Sequence, residues 1–261
     1  MRSIWKGHIR FSLVTIPVQI FNAIESKTDI RFNQLHAKDH GRIKYKKECS
    51  VCNEEVPYAE IVKGYEYEPD QYVVMSRQDF DGIKLESNRA IEIEAFVNIN
   101  EVHPNRFEAV YYVGPNGDIA QNTYSLLRET LLKTKKAGVG RIILREKEDV
   151  VLLVPEQKGI IMYKLRYPYE LRSIKDMPDL METSADQSQL QLAETLVDSL
   201  SKPFSEINFE DRYRDALLEL VDDKIAGKEI VTVTETEDEG PVIDIMDALK
   251  RSIEEAKKKA G

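Results

Sequence analysis

The sequence predicts an α+β chain in which short antiparallel strands, closed as a barrel or packed as a sandwich, come first and helices follow. Two observations predict it. Through residue 175 the chain is a succession of short β-branched and aromatic stretches with turn signals between them. After residue 176 the apolar spacing shifts to the three-and-four rhythm of amphipathic helices. A third observation, the segregation of charge along the chain, bears on partners rather than on fold.

Strands are expected over residues 2–11, 14–22, 42–48, 71–76, 90–99, 107–113, 141–147, 150–154 and 160–167. In the first, side chains alternate across the strand. Arg2, Ile4, Lys6, His8 and Arg10 therefore share one face, and Ser3, Trp5, Gly7, Ile9 and Phe11 the other. Trp5, Ile9 and Phe11 are assigned to the core. The stretch Val113-Gly114-Pro115-Asn116-Gly117-Asp118 is a turn, since proline presets one dihedral and glycine accepts positive φ. One helix interrupts the strands, with Asn122 as N-cap, Tyr124, Leu127 and Leu131 as its apolar stripe, and Gly138 as its C-terminal cap. Lys133, Lys135 and Lys136 suit the negative end of its dipole.

Leu190, Ala193, Leu196, Val197 and Leu200 mark a second helix, stopped by Pro203. Tyr213, Leu217, Leu220, Val221 and Ile225 mark a third, followed by Gly227. Residues 229–240 read as an acidic, Thr-rich linker. Val242, Ile245, Met246, Leu249 and Ile253 read as a short amphipathic helix ahead of Lys257-Lys258-Lys259. The expected organisation is a core over 1–175, a helical arm over 176–228, and a linker, short helix and Lys-rich tail over 229–261.

Several function classes find no support. No apolar run approaches the ~18 residues of a membrane span. Lys6, His8 and Arg10 break any signal-peptide centre, so a cytoplasmic, nucleoid-associated protein with no membrane partner is expected. Two cysteines make no disulfide framework. No Walker A loop, GxGxxG, HExxH or GxSxG occurs, and the four histidines form no nucleophile–base set visible in sequence. Asp79/Asp81 and Asp222/Asp223 read as turn and helix-surface residues. No catalytic role is expected.

The net charge of −9 hides a division. Residues 1–47 carry 10 basic and 3 acidic side chains, 128–147 carry 7 and 2, and 158–175 carry 5 and 1. Residues 48–127 carry 5 and 15, and 176–261 carry 10 and 22. The basic segments include strand faces of one sign: Lys6 with Arg10, Arg42 with Lys44 and Lys46, Arg141 with Arg145 and Lys147, and Lys164 with Arg166. A solvated sheet face normally mixes signs, because like charges opposite each other destabilise it. Faces of one sign point to a polyanion, which Lys and Arg bind through phosphates without reading sequence.

Cys49 and Cys52 form a lone CxxC, with His36 and His40 upstream at H-x3-H-x8-C-x2-C. Two thiolates and two imidazoles suffice chemically for a structural zinc. Two reduced thiols at a turn are the plain alternative.

Six stretches, in order over nearly the whole chain, carry a resemblance: IWKGHIRFSLVTIPVQIF, LHAKDHGRIKYKKECSVC, EIVKGYEYEPDQYVV, YSLLRETLLKTKKAGVGRIILREKEDVVLLVP, LRYPYELR and FEDRYRDALLELVDDKIAGK. They resemble the bacterial Ku family of non-homologous end joining. The resemblance implies a β-barrel core whose bridging insertions close a ring in a homodimer. It also implies sequence-independent binding of the ends of linear double-stranded DNA, a C-terminal helical arm that helps hold the protomers, and recruitment of an ATP-dependent DNA ligase of the ligase D type. It requires no cofactor.

On this reading the candidate phosphate contacts are Lys6, Arg10, Arg42, Lys44, Lys46, Lys133, Lys135, Lys136, Arg141, Arg145, Lys164 and Arg166. Two other classes compete. A single-stranded or RNA-binding barrel would need exposed aromatics among its cations, and Tyr45 and Tyr163 alternate away from theirs. A purely structural zinc or redox protein would rest on the CxxC alone.

Overall fold

A computed structural model describes residues 1–25, 30–82, 89–144, 147–180, 184–227 and 252. The chain divides into two compact units, Met1–Ile174 and Lys175–Gly261. Among the described residues no helix is long and apolar enough to cross a membrane.

The first unit is a closed β-barrel. Its strands are β1 (Ser3–Phe11), β2 (Val14–Asn22), β5 (Ala90–Asn98), β6 (Phe107–Pro115), β7 (Lys136–Leu144), β8 (Lys147–Glu156) and β9 (Gly159–Leu165). Around the barrel they run β1-β2-β6-β9-β8-β7-β5. Neighbours are antiparallel except at the closing seam, where β1 and β5 pair in parallel through His8↔Ala90, Ile9↔Ile91 and Arg10↔Glu92. Outside the barrel, β3 (Lys63–Glu68) and β4 (Gln71–Met75) form a separate hairpin, and α1 (Arg77–Gly82) follows it. The helix α2 (Asp118–Thr134) joins β6 to β7.

Period-two alternation sorts the barrel residues onto two faces. Ile9, Ile16, Val18, Ile20, Ile91, Ile142, Val151, Leu153, Ile160 and Met162 fill the interior, and Trp5 and Phe11 pack against them. Helix α2 adds Tyr124, Leu127 and Leu131 to this cluster. The buried Tyr124 hydroxyl donates to the Val113 carbonyl at 2.6 Å, and burial pushes its pKa up to about 12. A second cluster lies on the outer face, where Ala137, Leu152 and Leu165 pack with Val97, Val139, Val150 and Tyr163. Strand β8 is buried on both sides, so its sequence is a continuous apolar run rather than an alternation.

The barrel and the assignment of Trp5, Ile9 and Phe11 to its core agree with the sequence. Several boundaries do not. No strand forms over 42–48: the segment is largely exposed, and its only strand-like pairing among the described residues is two isolated bridges, Leu35↔Arg42 and Glu48↔Glu55. Its apolar residues face no sheet, and ladder pairing needs a partner. Strand β3, hidden by the charges of KGYEYE, forms because it is antiparallel to β4 across a turn at Asp70 (φ 61°). Helix α2 begins after Gly117 (φ 86°), not at Asn122. It ends at Lys135, held left-handed (φ 55°) with its N–H bonded to the Leu131 and Leu132 carbonyls. Gly138 is not the cap. It lies within β7, where an added Cβ would stand 3.2 Å from the Ile93 side chain.

In the second unit α3 (Gln187–Leu200) is capped by Asp186, whose side chain accepts from the Ser188 and Gln189 amides. Helix α4 (Arg212–Ile225) is capped by Asp211, which accepts from Arg214. Both leave apolar residues exposed, among them Val197, Leu200, Tyr213 and Ile225. The expected linker, short helix and Lys-rich tail over 229–261 lie outside the described residues, Ser252 excepted.

The seam leaves no room for a side chain at Gly7. A Cβ there would lie 2.0 Å from the Arg89 carbonyl oxygen and 2.3 Å from the Trp5 ring. Gly7→Ala is expected to cost about 1–3 kcal/mol in urea unfolding, through separation of β1 from β5. An unchanged midpoint would show that the seam is not tightly packed.

Candidate nucleic-acid interface

Apart from Lys6 on β1 and Lys136 on β7, the described lysines and arginines of the barrel strands are paired with acids. Arg10 reaches Glu92 across the seam at 3.0 Å. Arg141 is held between Glu94 at 2.7 Å and Glu148 at 2.9 Å. Hydrogen bonds to Glu148 and then to Glu94 keep its guanidinium above the ordinary arginine range. Arg166 lies 4.0 Å from Glu108. The faces of one sign expected from the sequence are therefore mixed, because β5, β6 and β8 set their acids beside the cations of β1, β7 and β9.

Lys164 corrects the sequence reading in a second way. It shares the inward face of β9 with Ile160 and Met162, while Tyr163 and Leu165 belong to the outer cluster. There Lys164 meets Glu108 and Asp149, each at 3.1 Å. Burial alone would lower its pKa, but the two carboxylates outweigh burial and hold it above the ordinary lysine value. Tyr163 packs edge-on against Phe107 at 4.9 Å, which removes it from any stacking surface.

The cations of loops and helix ends are different. Lys6 is exposed on β1, Arg42 and Lys44 stand on the exposed 42–48 segment, and Lys133 and Lys135 end α2. None of these five makes an ion pair among the described residues. Lys46 pairs with Glu55 at 2.5 Å. Lys136 opens β7 half-buried and lies near Glu101, whose carboxyl is held low first by Asn98 hydrogen bonds and only then by this lysine. Tyr45 is exposed within the basic segment and donates to Gln34. Arg145 lies outside the described residues. Sequence reasoning passed over Arg89, which joins Lys6 at the mouth of the seam. Its signal was masked because it is one of 5 cations scattered through a segment of 15 acids.

The expected metal ligands sit on two similar turns. The His36 N–H donates to Gly41 O and the His40 N–H to His36 O, both at 2.8 Å. Likewise the Cys49 N–H donates to Glu54 O at 2.9 Å and the Asn53 N–H to Cys49 O at 2.8 Å. His40 and Asn53 both have φ 57°. By this equivalence His36 and Asp39 stand where Cys49 and Cys52 stand. The amides of Cys52 and Val51, then the Cys52 thiol, hold Cys49 below the usual thiol range, which favours a metal-ready thiolate. The donor types fit zinc, but the geometry does not gather them. His36 Nδ1 lies 3.0 Å from Asp39 Oδ1, and among the described residues no three His, Cys, Asp or Glu side chains form a group that could hold a metal ion.

A closed barrel with an exposed hairpin, a basic loop and a helical unit defines a class of β-barrel protein, with no catalytic constellation among the described residues. Comparison narrows the class. The family model described as the Ku70/Ku80 beta-barrel domain matches residues 10–192. A non-homologous end joining protein Ku of Heliobacterium modesticaldum is 39% identical over 258 residues, 98% of this chain and 93% of that protein. One from Bacillus subtilis is 40% identical over 264 residues, 99% of this chain and 83% of the relative. One from Archaeoglobus fulgidus is 38% identical over 258 residues, 98% of this chain and 100% of the relative. The chain belongs to the Ku family of non-homologous end joining proteins.

Proposed function

We propose that the chain binds the ends of linear duplex DNA without reading their sequence, as a homodimer closed into a ring, in double-strand break repair by end joining. The observation that carries this reading, besides family membership, is a group of candidate cations that make no ion pair among the described residues: Lys6, Arg42, Lys44, Lys133 and Lys135. Cations already matched by carboxylates gain little from a phosphate, whereas unmatched ones release counterions on contact. The acidic total charge is compatible with this, because the acids neutralise the strand faces and leave these loop and helix-end positions basic. The protein acts by binding rather than by catalysis. An ATP-dependent ligase of the ligase D type is its proposed partner, with residues 240–261 as the docking segment. On donor chemistry alone we further propose that Cys49 and Cys52, with His36 and His40, share one structural zinc, whose binding would have to draw together side chains that the described geometry leaves apart.

Linear duplex is expected to bind at low salt and covalently closed circles of the same sequence are not, by gel shift at two salt concentrations. Equal binding to closed circles would defeat threading. Lys133→Ala and Lys135→Ala should each flatten the salt slope by about 1. Preference for single strands over blunt duplex in competition would favour a stacking module instead. Removing residues 240–261 should reduce stimulation of the ligase and spare DNA binding, and unchanged stimulation would place the docking surface elsewhere. Metal analysis should find about one zinc per chain, lost in the Cys49→Ser/Cys52→Ser double variant. A folded wild-type chain free of zinc would refute the metal.

A further inference from the structure

The barrel carries two hollows of opposite character. Along α2 runs an almost wholly apolar groove of about 530 Å³, lined by Phe11, Val14, Phe96, Leu126 and Leu131, which offers little to a polar ligand. At the opposite end of the barrel the interior faces turn polar and enclose a cavity of about 510 Å³. It is lined by Trp5, Asn22, Tyr111, Lys147, Asp149 and Lys164, carried by β1, β2, β6, β8 and β9. A volume in this range suits one small ligand. Beside it lies a shallower cleft of about 430 Å³ that shares the Trp5 wall and is lined by Ser3, Lys6 and Arg89.

The chemistry of the two lobes differs. In the deeper one Asp149 is the buried charged residue of the described core, 5% exposed. Lys164 Nζ stands 3.1 Å from its Oδ1, an ion-pair contact, yet that oxygen accepts no aligned hydrogen bond. A buried carboxylate oxygen left in this state is costly unless a ligand or water completes it. Lys164 is already matched by Asp149 and Glu108, and Lys147 lies 3.8 Å from Glu170, so each cation of the lobe already has a carboxylate beside it. It offers an acceptor beside a donor, an amide at Asn22, and the rings of Trp5 and Tyr111. That set recognises a planar, neutral group through its hydrogen-bonding edge and its faces, as proteins hold an unstacked base. The shallow lobe has the opposite character: Lys6 and Arg89 make no ion pair among the described residues, and with the Ser3 hydroxyl they suit a phosphate.

We propose that this end of the barrel is a pocket for one nucleotide, its base in the deep lobe and its phosphate on Lys6 and Arg89. The base it fits is guanine, whose adjacent N1–H and N2–H donors complement the Asp149 carboxylate while its O6 accepts from Lys164. The inference rests on the DNA-end reading, in which the nucleotide is the unpaired last residue of a break. A free nucleotide presents the same chemistry.

Trp5 is the single tryptophan of the chain, so its emission reports on the pocket directly. Titration of the full chain with dGMP should quench it saturably, about tenfold more tightly than dTMP and without response to inorganic phosphate alone. A duplex with one unpaired terminal dG should change the emission where a blunt duplex does not. If only dGMP does so, the pocket takes free nucleotide and not a DNA end. Asp149→Asn, which keeps the shape, should weaken dGMP about tenfold and leave blunt-duplex affinity unchanged. No saturable response to dGMP, or an equal response to dTMP, overturns the pocket even if duplex binding is intact. Loss of all duplex binding by wild-type protein would instead overturn the DNA-end reading.

Discussion

Closure of the barrel at the β1–β5 seam is the constraint on which the rest of the first unit depends. Six of the seven neighbour pairs are antiparallel, and the seventh is a parallel contact of three residue pairs. Without it β1 and β5 would each expose an unpaired edge, a template for association with other chains. The seam is possible because Gly7 lets β1 pass against the Arg89 carbonyl, while the amide of His8 donates to that carbonyl at 2.9 Å. The same contact brings Lys6 and Arg89 together and sets Trp5 across the open end. Barrel closure and the composition of its mouth are thus one structural event.

A second consequence of closure is the fate of the charges. In a closed sheet every strand has two neighbours, and in this barrel the basic strands β1, β7 and β9 each have an acid-bearing neighbour. Arg10, Arg141, Lys164 and Arg166 are thereby matched by Glu92, Glu94, Glu108, Glu148 and Asp149. The exposed pairs among these, such as Arg10–Glu92 and Arg141–Glu94, add little stability, about 0–1 kcal/mol each. Their effect is on where positive potential survives. It survives on the 42–48 loop, at the end of α2 and at Lys6 on β1. A left-handed lysine at position 135 is one mark of this, since a lysine stands where helices usually place glycine or asparagine.

The two exposed turns that carry the His and Cys pairs, the β3–β4 hairpin and the apolar faces of α3 and α4 bury little against their own units. Tyr65, Tyr67 and Tyr72 are exposed on the hairpin, and a two-stranded hairpin is marginal alone. Among the described residues these segments leave large apolar side chains uncovered.

The sequence by itself determined the local elements and their faces. Alternation put Trp5, Ile9 and Phe11 on one side of β1. The β-branched run over 150–154 marked a strand, and apolar spacing located α3 and α4. These follow from backbone periodicity, which neighbours in sequence alone define. The tertiary structure decided what each face meets. Lys164 turned inward because its strand packs Ile160 and Met162 inside the barrel. Arg141 was neutralised by Glu94, far from it in sequence, because β5 and β7 are adjacent. The 42–48 segment stayed out of the sheet because no strand lay beside it. Arg89 joined Lys6 because the seam closes there. Each outcome is a cross-strand contact, set by strand order, which the period-two pattern of a single strand does not encode.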